Sequence, residues 1–206
     1  MKITLAKTAG FCFGVNKAVQ TVYDLLQENQ KVCTLGPIIH NPQLVADLES
    51  RGARIVNSPE EVTADETLVI RSHGVEKSVI DLCEDSKIAY VDATCPFVAK
   101  IHKIVFEHSN QGYTTIIAGD KNHQEVKGII GHTFGEYFVI ADTDELDNLL
   151  KNYPELVSKK LIMVSQTTFN AKIWQKVQKN RELSPARSPA VTYVMAATET
   201  AYKASA

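Results

Sequence analysis

The sequence predicts an α/β fold built from small parallel sheets with a helix after each strand. Two observations carry this prediction. Short runs of β-branched and other apolar residues alternate with longer stretches of helical period. Most of the apolar runs also end in a turn that holds a histidine, a cysteine or a threonine before the next helix. In a parallel sheet such turns lie at the carboxyl edge, where open α/β folds bind ligands.

Six strand–helix units follow one another along the chain. The pairs are residues 3–8 with 15–28, 31–36 with 42–52, 67–72 with 75–85, 88–94 with 96–111, 114–120 with 124–132, and 160–166 with 171–178. Residues 183–206 hold two prolines and seven alanines and show no clear unit. We therefore expect a first α/β domain at residues 1–95, a second at 96–182 and an atypical tail at 183–206.

Composition excludes several classes of protein. The 206 residues carry a formal net charge of −2, with 44% hydrophobic and 22% charged residues, which is ordinary for a globular protein and does not indicate a nucleic-acid partner. No apolar run approaches the ~20 residues of a membrane helix, and the start lacks the apolar core of a secretory signal. We expect a cytoplasmic protein without a membrane partner, in which the four cysteines stay reduced.

Two of the cysteines occupy turns that suit a metal ligand. Cys12 lies in AGFCFGV, where Gly10 and Gly14 allow a tight turn and the following N–H groups can stabilise a thiolate. Cys95 lies in DATCPFV, where Pro96 fits the first position of a helix. The alternative is that both are small buried apolar side chains, which is the commoner fate of a free cysteine.

Three histidines occupy equivalent turns. His40, His73 and His123 each precede a helix start, so together they could donate hydrogen bonds to an anion. Glu125 follows in NHQEV and could move protons if burial raised its pKa, or it could be an ordinary first-turn acid. Thr167 in SQTTFN could hold a substrate hydroxyl, although helix capping by a threonine of this turn is an equal alternative.

The remaining cysteines and histidines are predicted to be structural. Cys33 lies inside an apolar strand and Cys83 on an apolar helical stripe, so both are expected in the core. His102 and His108 lie within the helix after Cys95, and His132 ends a helix. We interpret these three histidines as surface or capping residues.

Six motifs, in this order along the chain, resemble a known family. They are AGFCFGVNKAV, GPIIHNPQLV, RSHGV, DATCPFV, GDKNHQEVKGIIGH and SQTTFN. Together they are similar to 4-hydroxy-3-methylbut-2-enyl diphosphate reductase, the LytB family of iron–sulfur enzymes that ends the methylerythritol phosphate route to isoprenoids. The resemblance covers residues 1 to about 180.

The resemblance implies a fold and a set of site residues. Members of the family have three α/β domains in a pseudo-threefold arrangement around a 4Fe-4S cluster held by three cysteines. By resemblance, Cys12 and Cys95 are cluster ligands, while Glu125 delivers protons. The residues that match the substrate-binding positions are His40, His73 and His123 for the diphosphate and Thr167 for the substrate hydroxyl.

The resemblance also implies the reaction and its partners. The allylic alcohol of (E)-4-hydroxy-3-methylbut-2-enyl diphosphate is reductively dehydroxylated, giving isopentenyl and dimethylallyl diphosphate. Electrons come from a donor such as ferredoxin or flavodoxin. Cysteine followed by proline, as at Cys95, recurs at iron–sulfur sites.

The chain departs from the family pattern after about residue 180. The segment with the family's third cysteine is absent, as are the later serine and asparagine positions that hold diphosphate. We therefore expect a truncated chain or one with an altered tail, in which the third domain is largely missing. Two alternatives remain open at this point: an inactive fragment that binds diphosphate without turnover, and a zinc hydrolase that uses cysteine and histidine ligands.

Overall fold

The computed structural model describes residues 10–180, Leu183 and 191–193, the last three in their backbone only. Helices and strands alternate through these residues. In chain order they are α1 (Phe13–Gln27), β1 (Lys31–Leu35), α2 (Pro42–Ser50), β2 (Arg54–Val56), β3 (Glu66–Ile70), α3 (Lys77–Asp85), β4 (Tyr90–Asp92), α4 (Pro96–Ser109), β5 (Thr114–Ala118), α5 (Gln124–Gly131), β6 (Tyr137–Ile140), α6 (Thr143–Asn152), β7 (Leu161–Ser165), α7 (Ala171–Gln178) and β8 (Val191–Tyr193). Short 3-10 helices lie at Pro59–Glu61 and Pro154–Ser158.

The predicted fold class is confirmed. All six predicted helices form, each with its ends within two residues of the expected positions. Five of the six predicted strands form as well, and the sixth, at residues 3–8, lies outside the described residues. The sequence patterns did not predict β2, β6, β8 or α6.

The described residues divide into two compact units. The first unit contains residues 10–72 and 81–96, and the second contains 73–80, 97–180, Leu183 and 191–193. The domain boundaries expected from the sequence stay a prediction.

The first unit is built on a four-stranded parallel sheet. Its strand order is β2-β1-β3-β4, and β1 lies between β2 and β3 with Cys33 opposite both Arg54 and Leu68. On one face of the sheet, Val32 packs in a buried cluster with Ala18, Val19 and Val22 of α1 and Leu48 of α2. Cys33 is fully buried, as predicted.

The second unit is built on a second parallel sheet, of order β6-β5-β7-β8. Every residue of β5 and β7 is buried, so alternate side chains serve two cores. Ile116 and Met163 pack with Trp174 of α7 and with the apolar side of α6, whereas Ile117 and Ile162 pack against α4 and α5. Helices therefore cover both faces of this sheet.

The interpretation of His102 as a surface residue is wrong. His102 of α4 is buried, and its ring stacks on that of His132 with the ring centroids 4.0 Å apart. Burial lowers the pKa of His102 to about 3, and the neighbouring His132 acts in the same direction. A buried neutral imidazole can pass for a polar residue in the sequence because histidine occurs in both environments.

Cys83 is fully buried, as predicted, and His132 caps the end of α5.

None of the helices in the described part of the chain has the length and apolar character needed to span a bilayer.

Candidate functional site

Cys12 lies at the amino end of α1. It is the N-cap residue, with extended backbone angles of φ −63° and ψ 162°, and its carbonyl accepts the N–H of Asn16 at 2.9 Å. Its side chain makes no capping hydrogen bond and is exposed. The first turn of α1 contains no acidic residue. A thiolate here would therefore be stabilised by the unpaired N–H groups and the dipole of the helix.

Cys95 is held by a tight turn after β4. The Asp92 carboxylate accepts hydrogen bonds from both the backbone N–H and the hydroxyl of Thr94. The N–H of Cys95 itself donates to the carbonyl of Ser72 at 2.9 Å, which ties this turn to the end of β3. Pro96 begins α4, as predicted, so the half-buried sulfur sits just before a helix start.

The two cysteines approach the same helix turn. A Cβ atom built on Gly14 would lie 2.5 Å from the Sγ of Cys95 and 2.8 Å from its Cβ, so the Cys95 side chain lies directly against the Gly14 backbone. Gly14 is two residues after Cys12 in the first turn of α1. Both sulfur-bearing residues therefore adjoin one helix end, at the carboxyl edge of the first sheet.

His40 lies in the turn between β1 and α2 of the first unit. It is exposed, and it directly precedes Asn41, whose side chain caps α2 by accepting the N–H of Leu44 at 3.1 Å. The structure thus leaves His40 at a helix start, as predicted.

Arg71 is a cation at the edge of the first sheet that the sequence analysis did not single out as a candidate site residue. It follows β3, and its Nη1 lies 2.6 Å from where a Cβ of Gly36, after β1, would be. Burial lowers the pKa of the Arg71 guanidinium. Arg71 could have been found from its position in RSHG, directly after an apolar strand, because a residue there lies at the same edge of the sheet as the cysteines.

In the second unit, His73 and His123 meet edge to face. Their ring centroids are 5.6 Å apart, with an interplanar angle of 73°. His123 is the N-cap of α5, and its Nδ1 accepts the N–H of Glu125 at 3.1 Å. Because Nδ1 accepts, the neutral ring carries its proton on Nε2, where it can serve as a donor.

Glu125 and Thr167 form a close pair. The carboxylate of Glu125 is buried, with the residue 2% exposed. One of its oxygens accepts the N–H of Thr167 at 2.6 Å, and the other accepts the Thr167 hydroxyl at 2.7 Å. The turn after β7 is thereby joined to the first turn of α5, so Glu125 is not an ordinary solvated first-turn acid.

Burial raises the pKa of Glu125, and the two hydrogen bonds from Thr167 lower it by less. The direction follows from desolvation of the charged form, which outweighs two good donors. A carboxyl group with a raised pKa holds its proton closer to neutral pH than a surface glutamate does. That property suits a group that gives a proton to a bound substrate.

The alternative that a threonine caps α7 is wrong. The N-cap of α7 is Asn170, whose side-chain oxygen accepts the N–H groups of Lys172 and Ile173 at 2.9 and 3.2 Å. This leaves the Thr167 hydroxyl for Glu125. Sequence alone could not decide between the residues of SQTTFN, since several of them are competent caps or turn formers.

The described residues do not provide a complete donor set for a metal group. No three His, Cys, Asp or Glu side chains in the described residues gather around a common point as ligands of one ion. Cys33 and Cys83 cannot extend the pair Cys12 and Cys95, because both are fully buried, and burial raises the pKa of Cys33 to about 11 and that of Cys83 in the same direction. The residues thus fit two positions of a thiolate-ligated cluster and do not complete one.

The described residues do not support the zinc hydrolase alternative. It requires Cys12, Cys95 and a histidine to act as ligands of one ion. The described residues do not bring such a set of three together.

Fold and site together define a class of protein. Parallel α/β sheets carry thiols, imidazoles and a buried carboxyl group at their carboxyl edges. This is the pattern of an α/β protein whose reactive and polar side chains are supplied by its strand-end turns.

Comparison with known proteins gives the family. The family model described as LytB protein matches residues 3–196, and the chain belongs to this family. A 4-hydroxy-3-methylbut-2-enyl diphosphate reductase of Syntrophotalea carbinolica is 42% identical over 178 residues, which cover 86% of this chain and 61% of the relative. The reductase of Clostridioides difficile is 39% identical over 175 residues, with 84% and 61% covered. The chain thus spans about 61% of the length of these curated relatives.

Solved structures agree with this assignment. A structure described as (E)-4-hydroxy-3-methyl-but-2-enyl diphosphate reductase, the terminal enzyme of the non-mevalonate pathway, matches with a TM-score of 0.79 and 32% identity, covering 98% of this chain and 69% of that one. The E-1-hydroxy-2-methyl-but-2-enyl-4-diphosphate reductase of Plasmodium falciparum matches with a TM-score of 0.79 and 27% identity, covering 92% and 57%.

Proposed function

We propose that this chain acts in the reductive dehydroxylation of (E)-4-hydroxy-3-methylbut-2-enyl diphosphate to isopentenyl and dimethylallyl diphosphate, the last step of the methylerythritol phosphate pathway. The family assignment supports the substrate class, because the relatives are named for this reaction. The observation that carries the proposal is the pair of Glu125 and Thr167, a buried carboxyl group with a raised pKa bonded to a hydroxyl at a strand end.

Glu125 supplies the proton. Loss of the allylic hydroxyl as water requires a proton donor beside that oxygen, and a buried carboxyl group is protonated at a higher pH than an exposed one. Thr167 fixes one oxygen of Glu125 through its hydroxyl and the other through its backbone N–H. In this role Thr167 also contacts the substrate hydroxyl, and its short bond to Glu125 gives the proton a direct path.

The histidines bind the diphosphate. In His123 the Nδ1 is engaged by the N–H of Glu125, so the Nε2 proton is the one offered to a phosphate oxygen. His73 lies edge to face with it, and both stand before helix starts, where the N–H groups favour an anion. For His40, which directly precedes the N-cap residue of α2 in the first unit, we propose the same role by resemblance to the family. A net charge of −2 does not oppose this, since the positive potential need only be local.

Cys12 and Cys95 are proposed as ligands of a 4Fe-4S cluster. When bound, the cluster would supply a Lewis-acidic iron and a route for electrons. The Cys95 sulfur lies against the first turn of α1 and Cys12 is the N-cap of that helix, whose dipole favours thiolates. Cys33 and Cys83 lie in the core, so neither supplies a third thiolate for this cluster. The electron donor is proposed to be a ferredoxin or flavodoxin, and the site of action the cytoplasm, whose reducing conditions keep the thiols free.

A second candidate function is diphosphate binding without turnover. The two-cysteine donor set favours it, because the histidines and Glu125 are in place whether or not a cluster assembles.

Turnover of the whole chain tests the proposal. The protein is reconstituted anaerobically with iron, sulfide and an excess of a small-molecule thiol, which stands in for the third thiolate, and the substrate is added with reduced ferredoxin as electron donor. Isopentenyl and dimethylallyl diphosphate are then measured by mass spectrometry. We expect both products, with Glu125→Gln lowering kcat by about 10²-fold or more. Glu155→Gln, a change at an exposed glutamate of the same unit, is the matched control and leaves kcat unchanged.

Calorimetric titration with the diphosphate substrate separates the two candidates. Binding that depends on His123 together with product formation supports the reductase. The same binding without product, in protein that has taken up iron and sulfide, supports the non-catalytic function instead. A chain that neither binds nor converts the substrate refutes both.

A further inference from the structure

Gln166 is a buried amide between two turns of the second unit. It directly follows β7 and is 6% exposed. Its Oε1 accepts the backbone N–H of Asp120, in the turn after β5, at 3.2 Å. Its Nε2 donates to the hydroxyl of Thr168, in the turn after β7, at 2.7 Å. The side chain therefore bonds to both turns and uses both ends of its amide.

The backbone of Gln166 is fixed as well. Its N–H donates to the carbonyl of Ala118 at 2.8 Å, and its carbonyl accepts the N–H of Phe169 at 3.0 Å. Gly119 makes room for the amide: a Cβ built there would lie 3.1 Å from the Gln166 Oε1 and 2.7 Å from a methyl group of Val126. A glycine at this position therefore lets the side chain cross directly above the end of β5.

Hydrogen bonds hold the turn after β5 from Asp120 onward. The Asp120 carboxylate accepts the N–H of Asn122, and the Asp120 carbonyl accepts the N–H of His123, each at 2.9 Å. His123 in turn accepts the N–H of Glu125. An unbroken series of hydrogen bonds thus runs from the Gln166 amide to both proposed functional residues of this turn.

We propose that Gln166 is a positioning residue, which sets the separation between the turn that carries His123 and Glu125 and the turn that carries Thr167. Its two ends touch these turns, and its neighbour in the chain is Thr167 itself. This inference rests on the proposed function, since it gives Gln166 a purpose in the geometry of proton transfer.

The hydrogen bonds between Glu125 and Thr167 are sensitive to the separation of these two turns. Glu125 is bonded to Thr167 at 2.6 and 2.7 Å, and these bonds cross between the two turns. A hydrogen bond weakens steeply as its partners separate or lose alignment. The positions of catalytic groups also have to hold to within about 1 Å, because a displacement of that size can cost about 10²-fold in rate.

The first measurement does not depend on activity. In Gln166→Met, which keeps the length of the side chain and removes the amide, amide exchange of Asp120 followed by NMR should become about tenfold faster. The pKa of Glu125, followed by the NMR shift of its carboxyl carbon, should rise, because its bonds from Thr167 loosen while it stays buried. Gln175→Met, at an exposed position of α7, is the matched control and changes neither quantity.

A milder pair of variants guards against loss of folding. Thr168 is exposed, so Thr168→Val removes one of the two Gln166 bonds with little disturbance, and Thr168→Ser keeps the hydroxyl. We expect Thr168→Val to shift Asp120 exchange and the Glu125 pKa in the same directions as Gln166→Met, by less, and Thr168→Ser to restore both. In the turnover assay kcat should fall about tenfold in Gln166→Met, with a smaller change in KM.

Failure of the positioning role of Gln166 can be told apart from failure of the proposed function. Wild-type exchange and an unchanged Glu125 pKa in Gln166→Met overturn the positioning role, as does an unchanged kcat in an active enzyme. If the wild-type chain forms no product, the proposed function fails, while the NMR measurements on Asp120 and Glu125 still decide whether Gln166 holds the two turns.

Discussion

Substituting Gly14 tests the contact that brings the cysteines to one helix end. In Gly14→Ala the new methyl carbon would lie 2.5 Å from the Sγ of Cys95 and 2.8 Å from its Cβ. Ordinary contacts between such atoms are about 3.5 to 4.0 Å. The Cys95 side chain therefore has to move by about 1 Å, yet its backbone N–H is bonded to Ser72 and its turn is fixed by Asp92.

Two opposing effects set the size of the result. Gly14 lies inside α1 with helical geometry, so alanine should gain up to about 1 kcal/mol from helix propensity. Overpacking of a fixed site costs about 1 to 3 kcal/mol. Because the closest atoms belong to a side chain held on both flanks, we expect the overpacking to win and the unfolding free energy to fall by about 1 to 2 kcal/mol.

Urea unfolding at pH 7, with and without a second change, provides the assay. Cys95→Gly removes the Sγ and Cβ atoms that the new methyl group would meet, so in that background the glycine-to-alanine change should become neutral or stabilising. The two backgrounds should differ by about 1 kcal/mol or more in the resulting double-mutant cycle. If Gly14→Ala raises the free energy of unfolding equally in both backgrounds, Cys95 does not lie against α1, and the conclusion that both cysteines adjoin this helix end is wrong.

Three further predictions concern other parts of the chain. Burial lowers the pKa of His102 to about 3 in the folded protein, from its ordinary 6.5. The unfolded chain therefore binds more protons as the pH falls, and the free energy of unfolding should drop by about 2 kcal/mol between pH 7 and pH 5. His102→Gln should lack this drop when unfolding is measured at the two pH values, and a drop that persists in the variant would contradict the burial of His102. Thr167→Val removes the 2.7 Å bond to Glu125, which lowers the pKa of that carboxyl group, so the pKa of Glu125 in the variant should rise further in an NMR titration. An unchanged pKa would show that the bond is absent in solution. Gly36→Ala forces alanine into a left-handed backbone of φ +68° and should cost about 1 to 2 kcal/mol in urea unfolding; most of this loss should persist beside Arg71→Ala, because a flexible guanidinium can move aside whereas the backbone cannot.

The sequence predicted the long elements because their burial pattern is strong. α1 and α4 extend over three or more turns, and β5 and β7 are continuous apolar runs. β2 and β8 have three residues each, too few to establish a period, whereas the equally short β4 lies within the longer run predicted at residues 88–94. α6 was missed because it is rich in charged and polar residues and buries only Leu146 and Leu150.

The candidate site was predictable in kind but not in its connections. Strand-end turns were the signal for the candidate cysteines and histidines, since parallel topology places such turns at one edge of each sheet. The bond between Glu125 and Thr167 joins residues 42 positions apart, and no local pattern encodes that pairing. Gln166 was passed over for the same reason, because its partner Asp120 is 46 positions away.

The glycines show how the missing connections could be found. Gly14 and Gly119 have no positive φ, so backbone conformation does not require glycine at either position. Both are instead crossed by a side chain from another turn, that of Cys95 over Gly14 and that of Gln166 over Gly119. A glycine in ordinary backbone geometry beside a strand-end turn therefore indicates close passage of a remote side chain. In each unit the glycine marks where a side chain from another strand-end turn comes close, Cys95 in the first unit and Gln166 in the second, which the reactive residues alone do not reveal.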